Sequence, residues 1–301
     1  MARPAVIFAL AGGLLVVSTA SILTRFAQAE GVPSLAIAAW RLTLASLILV
    51  PLMTWKAGGE LRALGADRLW LLGSGVFLAL HFATWILSLQ FTSVASSVAL
   101  VTTNPIWIGL FSFFILRERV QAAKLAAITL ALAGSGVILW NDAGQVTQSA
   151  PQPTLGNALA LTGSLAMCGY LLIGRRLRGH LSLVAYIGVV YVVAAACLVG
   201  AALVTGTTLT GYPIAAWGWL AALALGPQLL GHTAFNYALK HISATTIAVV
   251  VLGEPVGSSI LAWWLLGEAI GPVKLAGMGL LLAGVFLAAR SEQGGAIHRK
   301  L

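Results

Sequence analysis

Two stretches of the chain resemble each other closely: residues 118–134 read ERVQAAKLAAITLALAG and residues 268–284 read EAIGPVKLAGMGLLLAG. Both begin with a glutamate, carry Lys-Leu-Ala six residues later and end in Leu-Ala-Gly. They are 150 residues apart and align without a gap. A similarity that matches charged and apolar positions together indicates an internal repeat.

The same offset aligns positions outside these two stretches. Serine, proline and arginine residues coincide in the pairs Ser93 and Ser243, Pro105 and Pro255, and Arg25 and Arg175. We therefore predict two copies of one unit, residues 1–145 and residues 146–301. Chance similarity between two segments rich in Leu, Ala and Gly is the alternative, and the matched charged residues argue against it.

The composition indicates a membrane protein. Hydrophobic residues make up 59% of the chain and charged residues 8%, whereas soluble domains carry about 25% charged residues. The net charge of +9 would suit nucleic acid, but the Lys and Arg residues lie at the ends of long apolar runs, as topology determinants do. We therefore expect a lipid bilayer as the partner and no nucleic acid.

Ten apolar runs approach the length of about 20 residues that a helix needs to cross the hydrocarbon. The sequence thus predicts an all-α integral membrane protein of ten transmembrane helices, five per repeat. The predicted helices are Ala5–Ala27, Ser34–Thr54, Leu69–Leu89, Ala95–Leu116, Ala122–Trp140, Leu155–Ile173, Leu181–Val204, Ile214–Leu239, Thr245–Leu266 and Pro272–Ala289. The longest predicted connections are Trp55–Arg68 and Asn141–Thr154.

The distribution of positive charge predicts the orientation. With the N-terminus inside, fourteen of the seventeen Lys and Arg residues lie on the cytoplasmic side, Arg3, Arg119 and Arg299 among them, as the positive-inside bias requires. Both termini are then cytoplasmic. Because five helices per repeat is an odd number, the second copy is inverted. Inverted repeats are typical of secondary transporters, whose sites lie at the repeat interface near the midplane.

Two five-helix halves, each with a mid-membrane proline, a glutamate after the fourth helix and a Lys-Leu-Ala and Leu-Ala-Gly fifth helix, resemble the paired EamA domains of the drug/metabolite transporter superfamily. The resemblance covers about Pro4 to Arg290. It implies a small-molecule transporter of the inner membrane rather than an enzyme, without cofactor or metal. His81 followed by Asn104-Pro105 is most similar to the branch that exports aromatic amino acids, although Leu80 and Thr84 stand where aromatic residues would be more natural there.

Polar groups inside hydrocarbon are costly and therefore indicate functional candidates. We predict a substrate site made of His81, Trp85, Asn104, Gln228, Glu254 and Arg41. Glu254 is the only acidic residue deep in a predicted helix, so it could bind an ammonium group or carry a proton. His81 and Asn104 would bind a carboxylate, and Trp85 would stack on an aromatic group.

Each candidate also has a structural interpretation. Glu254 and His81 could form hydrogen bonds between helices, and Asn104 could cap backbone carbonyls exposed by Pro105. Arg41 could extend its side chain to the lipid headgroups, or it could attract carboxylates in an outer vestibule. Glu118 and Glu268 each precede a helix, where a carboxylate suits the helix dipole, so we interpret them as structural.

The sequence thus favours a secondary-active exporter of small metabolites, most simply aromatic or bulky neutral amino acids. A nucleotide or nucleotide-sugar antiporter is the alternative, but it would need more than one deep cation, and Arg41 is the only one predicted. A haem carrier would need histidines at matched depth, and we place His81 and His232 at different depths. Motifs of membrane proteases and nucleotide hydrolases are absent from the sequence. The oligomeric state cannot be predicted.

Overall fold

A computed structural model of the chain describes residues 4–108, 110, 122–143, 146–148, 150–242 and 244–298. Its elements are α1 (Pro4–Val17), α2 (Ala20–Ala29), α3 (Ser34–Arg62), α4 (Asp67–Phe91), α5 (Val94–Val101), α6 (Ala122–Asp142), α7 (Pro153–Leu177), α8 (Leu183–Val204), α9 (Ile214–Leu223), the π-helical segment Ala224–His232, α10 (Thr233–Ala238), α11 (Ala244–Val251), α12 (Glu254–Leu266) and α13 (Pro272–His298). Arg3, Arg119 and Arg299, which support the predicted orientation, lie outside the described residues. The same holds for Glu118 and for Gln145, the last residue of the first predicted repeat.

The described part of the chain is an all-helical membrane protein, as the sequence predicts. Six helical segments are long and apolar enough to cross a bilayer: Pro4–Ala29, Ser34–Arg62, Asp67–Phe91, Pro153–Leu177, Leu183–Val204 and Ile214–Ala238. Val94–Ile108 and Pro272–Gly284 are shorter apolar helices. The end of the predicted fourth helix lies outside the described residues.

One predicted connection, Trp55–Arg68, is wrong. Helix α3 continues to Arg62 and α4 begins at Asp67, so residues 63–66 join them. The extension contains Lys, Glu, Leu and Arg, which are good helix formers. The Glu60 carboxylate also accepts a hydrogen bond of 2.8 Å from the backbone N–H of Ser182, which ties the end of α3 to the start of α8.

Helix interruptions occur at matched places in the two repeats. Turn residues 102–103 separate α5 from the helical residues that contain Pro105, and turn residues 252–253 separate α11 from α12, which contains Pro255. A proline removes one backbone hydrogen bond and clashes with the preceding turn. Each repeat therefore has a broken helix at the same depth, which in transporters marks the binding region.

Glycine contacts show that the repeats are related by a pseudo-twofold axis. Helices α6 and α13 cross where a Cβ atom on Gly134 would run into the backbone of Leu281, and where a Cβ on Gly284 would run into the backbone of Ala131. Each of these residues has its counterpart 150 positions along the chain. The crossing is therefore built from one contact used twice.

A second pair of crossings obeys the same relation. A Cβ atom on Gly13 in α1 would meet Ala234 and Phe235. A Cβ on Gly163 in α7 would meet their counterparts Thr84 and Trp85 in α4. The packing of α7 on α4 thus repeats the packing of α1 on the π-helical segment and α10, and both crossings border the centre of the molecule.

Candidate functional site

A narrow cavity of about 30 Å³ lies at the centre of the helices. Its lining comes from six of the predicted spans and includes four of the predicted site residues. The lining residues are Val17, His81, Trp85, Val101, Thr102, Asn104, Met167, His232, Phe235, Val251 and Glu254. Such a volume holds about one water molecule, so a larger ligand requires the helices to move apart.

The cavity lies on the pseudo-twofold axis. Eight of its lining residues form pairs that are 150 positions apart: Val17 with Met167, Trp85 with Phe235, Val101 with Val251, and Asn104 with Glu254. A site between inverted repeats is the arrangement that secondary transporters use. The pairs are apolar or aromatic except the last, in which an amide faces a carboxyl group.

Aromatic rings form one wall of the cavity. The His81 and Trp85 rings are stacked, with an interplanar angle of 8° and centroids 6.0 Å apart. The His232 ring lies 5.2 Å from that of Phe82 and 6.4 Å from that of His81. The predicted separation in depth of the two histidines is therefore wrong, because the π-helical segment carries His232 up to α4.

His81 is already engaged by the protein. Its Nδ1 atom donates a hydrogen bond of 3.0 Å to the carbonyl oxygen of Gly163 in α7. This bond fixes the ring against Trp85 and joins α4 to α7. The structural interpretation of His81, an interhelical hydrogen bond, is thus present in the molecule, and only its Nε2 atom is left for another partner.

Arg41 lies at the centre of the protein and does not extend to the headgroups. Its side chain is fully buried, and its Nε atom donates a hydrogen bond of 2.8 Å to Oε1 of Gln228. The guanidinium carbon lies 4.1 Å from the centroid of Phe82 and 5.9 Å from that of Trp85. These ring faces attract a cation. The interpretation of Arg41 as a headgroup-seeking or outer-vestibule residue is therefore wrong.

Several buried donors next to the cavity have no hydrogen-bond partner among the described residues. They are both terminal nitrogens of Arg41, Nε2 of Gln228 and Nε1 of Trp85; Nδ1 of His232, which donates in one tautomer, is also unpartnered. Buried polar groups are nearly always hydrogen-bonded in folded proteins. A group of unsatisfied donors around one cavity therefore indicates a place for acceptor atoms.

Glu254 supplies the acidic group of the site. It is buried at the first position of α12 and lines the cavity, and its carboxyl group has no hydrogen-bond partner among the residues that the structure describes. It lies within electrostatic range of Arg41. The structure thus brings together all six predicted residues, with Arg41 and Gln228 behind the aromatic wall and the other four at the cavity surface.

Asn104 has a structural task that follows from its neighbour. Pro105 has no N–H group, so the carbonyl of Val101, four residues earlier, loses its helical partner. The Asn104 amide nitrogen, when turned toward that carbonyl, lies 3.0 Å from it and 2.9 Å from Oγ of Ser164. Asn104 therefore caps the exposed carbonyl, as one of the two predicted interpretations proposes.

Pro227 explains how Gln228 reaches Arg41. It lies inside the helix that crosses the membrane at residues 214–238, and residues 224–232 around it adopt the wider π-helical winding. A proline in a helix interior forces such a local change, and π-helical turns are frequent at functional sites. Gln228 and His232 both lie on this segment and face the centre.

A separate group of polar residues, which we call the end network, joins both repeats at one end of the helices. Arg25 forms an ion pair of 3.1 Å with Glu268, and Lys274 forms one of 2.7 Å with Asp142. The other Glu268 oxygen accepts a hydrogen bond of 2.9 Å from the backbone N–H of Val94. Glu268 therefore stabilises the start of α5, not the following helix as predicted.

Hydrogen bonds also fill the space between the cavity and the opposite end. The Tyr170 hydroxyl donates to Oδ1 of Asn236 at 2.8 Å, and the Asn236 amide donates to the carbonyl of His232 at 2.9 Å. Nε of Arg178 donates to the carbonyl of Asn236 at 3.1 Å. The Tyr–Asn hydrogen bond gives no signal in sequence spacing, so sequence reasoning could not find it.

Comparison with known proteins extends this description. The EamA-like transporter family matches the chain twice, over residues 3–140 and 154–290. The chain belongs to this family. The two matches correspond to the two repeats, while the boundary between residues 145 and 146 stays a prediction.

Similar proteins bear names of the same kind. A protein of Bacillus subtilis, the uncharacterized transporter YyaM, is 24% identical, with 83% of each chain covered. An uncharacterized transporter of Archaeoglobus fulgidus is 25% identical over 76% of this chain and 80% of its own. A solved crystal structure covers 95% of this chain and 97% of its own with a TM-score of 0.68 at 20% identity, which supports the fold alone. These names identify transporters and specify no substrate.

Proposed function

We propose that this EamA-family transporter is a secondary-active exporter of amino acids with aromatic or bulky neutral side chains across the bacterial inner membrane. The observation that carries the proposal is Glu254, a carboxyl group without a hydrogen-bond partner among the described residues, in a cavity whose walls are mostly apolar and aromatic. A carboxylate attracts an ammonium group, and Trp85 and Phe235 offer surfaces for a large side chain.

Transport requires a rocking motion of the two repeats. The cavity of about 30 Å³ is smaller than any amino acid, and hydrogen bonds or ion pairs close the helices on both sides of it. Because the cavity lies on the pseudo-twofold axis, movement of one repeat against the other opens it to either side in turn. Glu254 would either bind the substrate's ammonium group or carry the coupling proton.

The orientation proposed from the positive-inside bias places the end network outside and both termini in the cytoplasm. Reporter fusions after Arg62 and Arg178 should be cytoplasmic, and a fusion at Thr207 should be external. A cytoplasmic signal from Thr207 would contradict the proposed orientation.

The substrate is tested by efflux from proteoliposomes loaded with single amino acids. Release of Phe, Trp, Met and Leu should exceed release from protein-free vesicles, whereas Asp and Lys should stay inside, because their second charge would be unpaired in an apolar cavity. Equal release of Asp and Lys would contradict selection for neutral side chains. No release of any amino acid would contradict the proposed substrate class.

A further inference from the structure

The hydrogen-bonding groups beside the central cavity are unequal in number. Among the described residues, the terminal nitrogens of Arg41, Nε2 of Gln228 and Nε1 of Trp85 are buried donors without a partner. Against them stands one carboxyl group, that of Glu254. A ligand that satisfies this site must therefore bring more acceptor atoms than donor groups.

The Arg41 side chain is positioned to receive two acceptors at once. Its Nε–H is occupied by Gln228 at 2.8 Å, which leaves the two terminal nitrogens side by side as a fork. Arginine binds carboxylates through such a pair of parallel hydrogen bonds. The Phe82 ring at 4.1 Å covers one face of the guanidinium group, so an acceptor approaches in the plane of the fork.

Arg41 forms no ion pair with an acidic side chain among the described residues. The structure holds no ion pair between Arg41 and Glu254 in the part of the chain that it describes, although the two interact electrostatically. A buried cation without a bonded anion is costly. A bound carboxylate would remove that cost at the moment of binding.

Only one of the two repeats has an arginine at this position of the site. The counterpart of Arg41, 150 positions along the chain, is the buried Tyr191, and the counterpart of Gln228 is the apolar Leu78. The fold therefore does not require a cation or an amide at these depths. One fork on one side of the axis fits one carboxylate per substrate molecule.

We propose that Arg41, held in place by Gln228, binds the substrate's carboxylate, so that this transporter selects small carboxylates and rejects the corresponding amines. The inference rests on the proposed function, because it assigns a second contact in the same site. It moves the carboxylate contact from His81 and Asn104, whose groups are engaged by Gly163 and Val101, to Arg41.

The test uses three aromatic probes with the purified full-length protein in detergent: phenylalanine, 3-phenylpropionate, which lacks the ammonium group, and phenethylamine, which lacks the carboxylate. Titration calorimetry should show binding of both carboxylates and at least tenfold weaker binding of the amine. Arg41→Lys retains the charge but loses the fork, so it should weaken the binding of 3-phenylpropionate at least tenfold. Gln228→Leu should weaken this binding to a smaller extent, because the Arg41 fork would be free to rotate.

Arg25→Lys is the matched control, because it makes the same arginine-to-lysine change in the end network, away from the cavity; it should keep carboxylate affinity within twofold. Equal affinity for phenethylamine and 3-phenylpropionate, unchanged binding by Arg41→Lys, or no binding of either carboxylate would each overturn the inference. Arg41-dependent binding of 3-phenylpropionate without amino-acid efflux would support the inference and contradict the proposed function. Amino-acid efflux unaffected by Arg41→Lys would support the proposed function and contradict the inference.

Discussion

Charged side chains from the two repeats approach each other at two places in this protein, the end network and the central cavity, and they do so differently. In the end network Arg25 pairs with Glu268 and Lys274 with Asp142, each within 3.1 Å. In the centre, the guanidinium group of Arg41 and the carboxyl group of Glu254 are both buried, yet no ion pair joins them within the described residues.

The difference separates two uses of charge inside a membrane protein. A buried ion pair with additional hydrogen bonds is satisfied by the protein itself, and its removal costs stability. Unpaired charged groups in the centre cost stability instead of adding to it, and we propose that a ligand pairs with them. The end network should therefore govern stability, and the centre should govern transport.

The largest expected effect is on transport, from Glu254→Gln. A hydrogen bond to a charged group contributes about 1.5–3 kcal/mol, so efflux of loaded phenylalanine should fall about ten- to hundredfold. The melting temperature in detergent should stay unchanged, because the carboxyl group has no hydrogen-bond partner among the described residues. If Glu254 carries the coupling proton, the variant should lose the pH dependence of efflux while still exchanging substrate. Unchanged rate and pH profile would remove Glu254 from the mechanism.

The matched change in the end network, Glu268→Gln, should have the opposite profile. It removes the carboxylate that pairs with the partly buried Arg25, and breaking a buried pair costs about 3 kcal/mol of unfolding free energy. Thermal melting in detergent should show a clear decrease, whereas the affinity for phenylalanine should stay within twofold. Normal stability with lost binding would contradict the assignment of stability to the end network and of transport to the central cavity.

A third test concerns packing rather than charge. Gly134→Ala should destabilise the protein by about 1–3 kcal/mol, the usual cost of overpacking, because its Cβ would collide with the backbone of Leu281. Gly136→Ala is the control, since no described residue lies within 4 Å of its Cβ position. Substrate affinity should be unchanged in both. Equal melting temperatures would mean that α6 and α13 separate without cost.

The smallest expected effect comes from Asn104→Ala, which tests a paired group within the centre. Removal of the amide leaves the Val101 carbonyl exposed by Pro105 without its cap, at a cost of about 1 kcal/mol. The affinity for 3-phenylpropionate should change less than threefold, because Arg41 still holds the carboxylate. A tenfold loss of affinity in a protein of normal stability would instead show that Asn104 contacts the substrate.

Much of the fold follows from sequence because its determinants are local or periodic. Apolar runs, their spacing and the 150-residue offset predict an all-helical membrane protein with paired repeats. Helix ends are harder to predict: α3 continues to Arg62 because polar helix formers prolong it beyond the apolar run. The π-helical segment at Pro227 was missed as well, since a proline specifies a disturbance but not the winding that results.

The fold brings the six candidate residues together, while their contact with a substrate stays a prediction. Buried polar residues are rare in hydrocarbon, so all six candidates could be chosen from sequence. Whether each is satisfied depends on partners far along the chain, such as Gly163 for His81 and Gln228 for Arg41. Side-chain direction also matters: the depth of Arg41 along α3 suggested the headgroups, but its side chain extends to the centre.

The crossing of Gly134 and Gly284 has a consequence for how the molecule can move. A contact that lies on a twofold axis is carried onto itself when the two halves exchange their shapes. Whichever side opens, the backbones of α6 and α13 can keep the same neighbours at this point. Each contact away from the axis is instead replaced by the symmetry-related contact of the other repeat. The two glycines would thus form the pivot about which the two repeats rock.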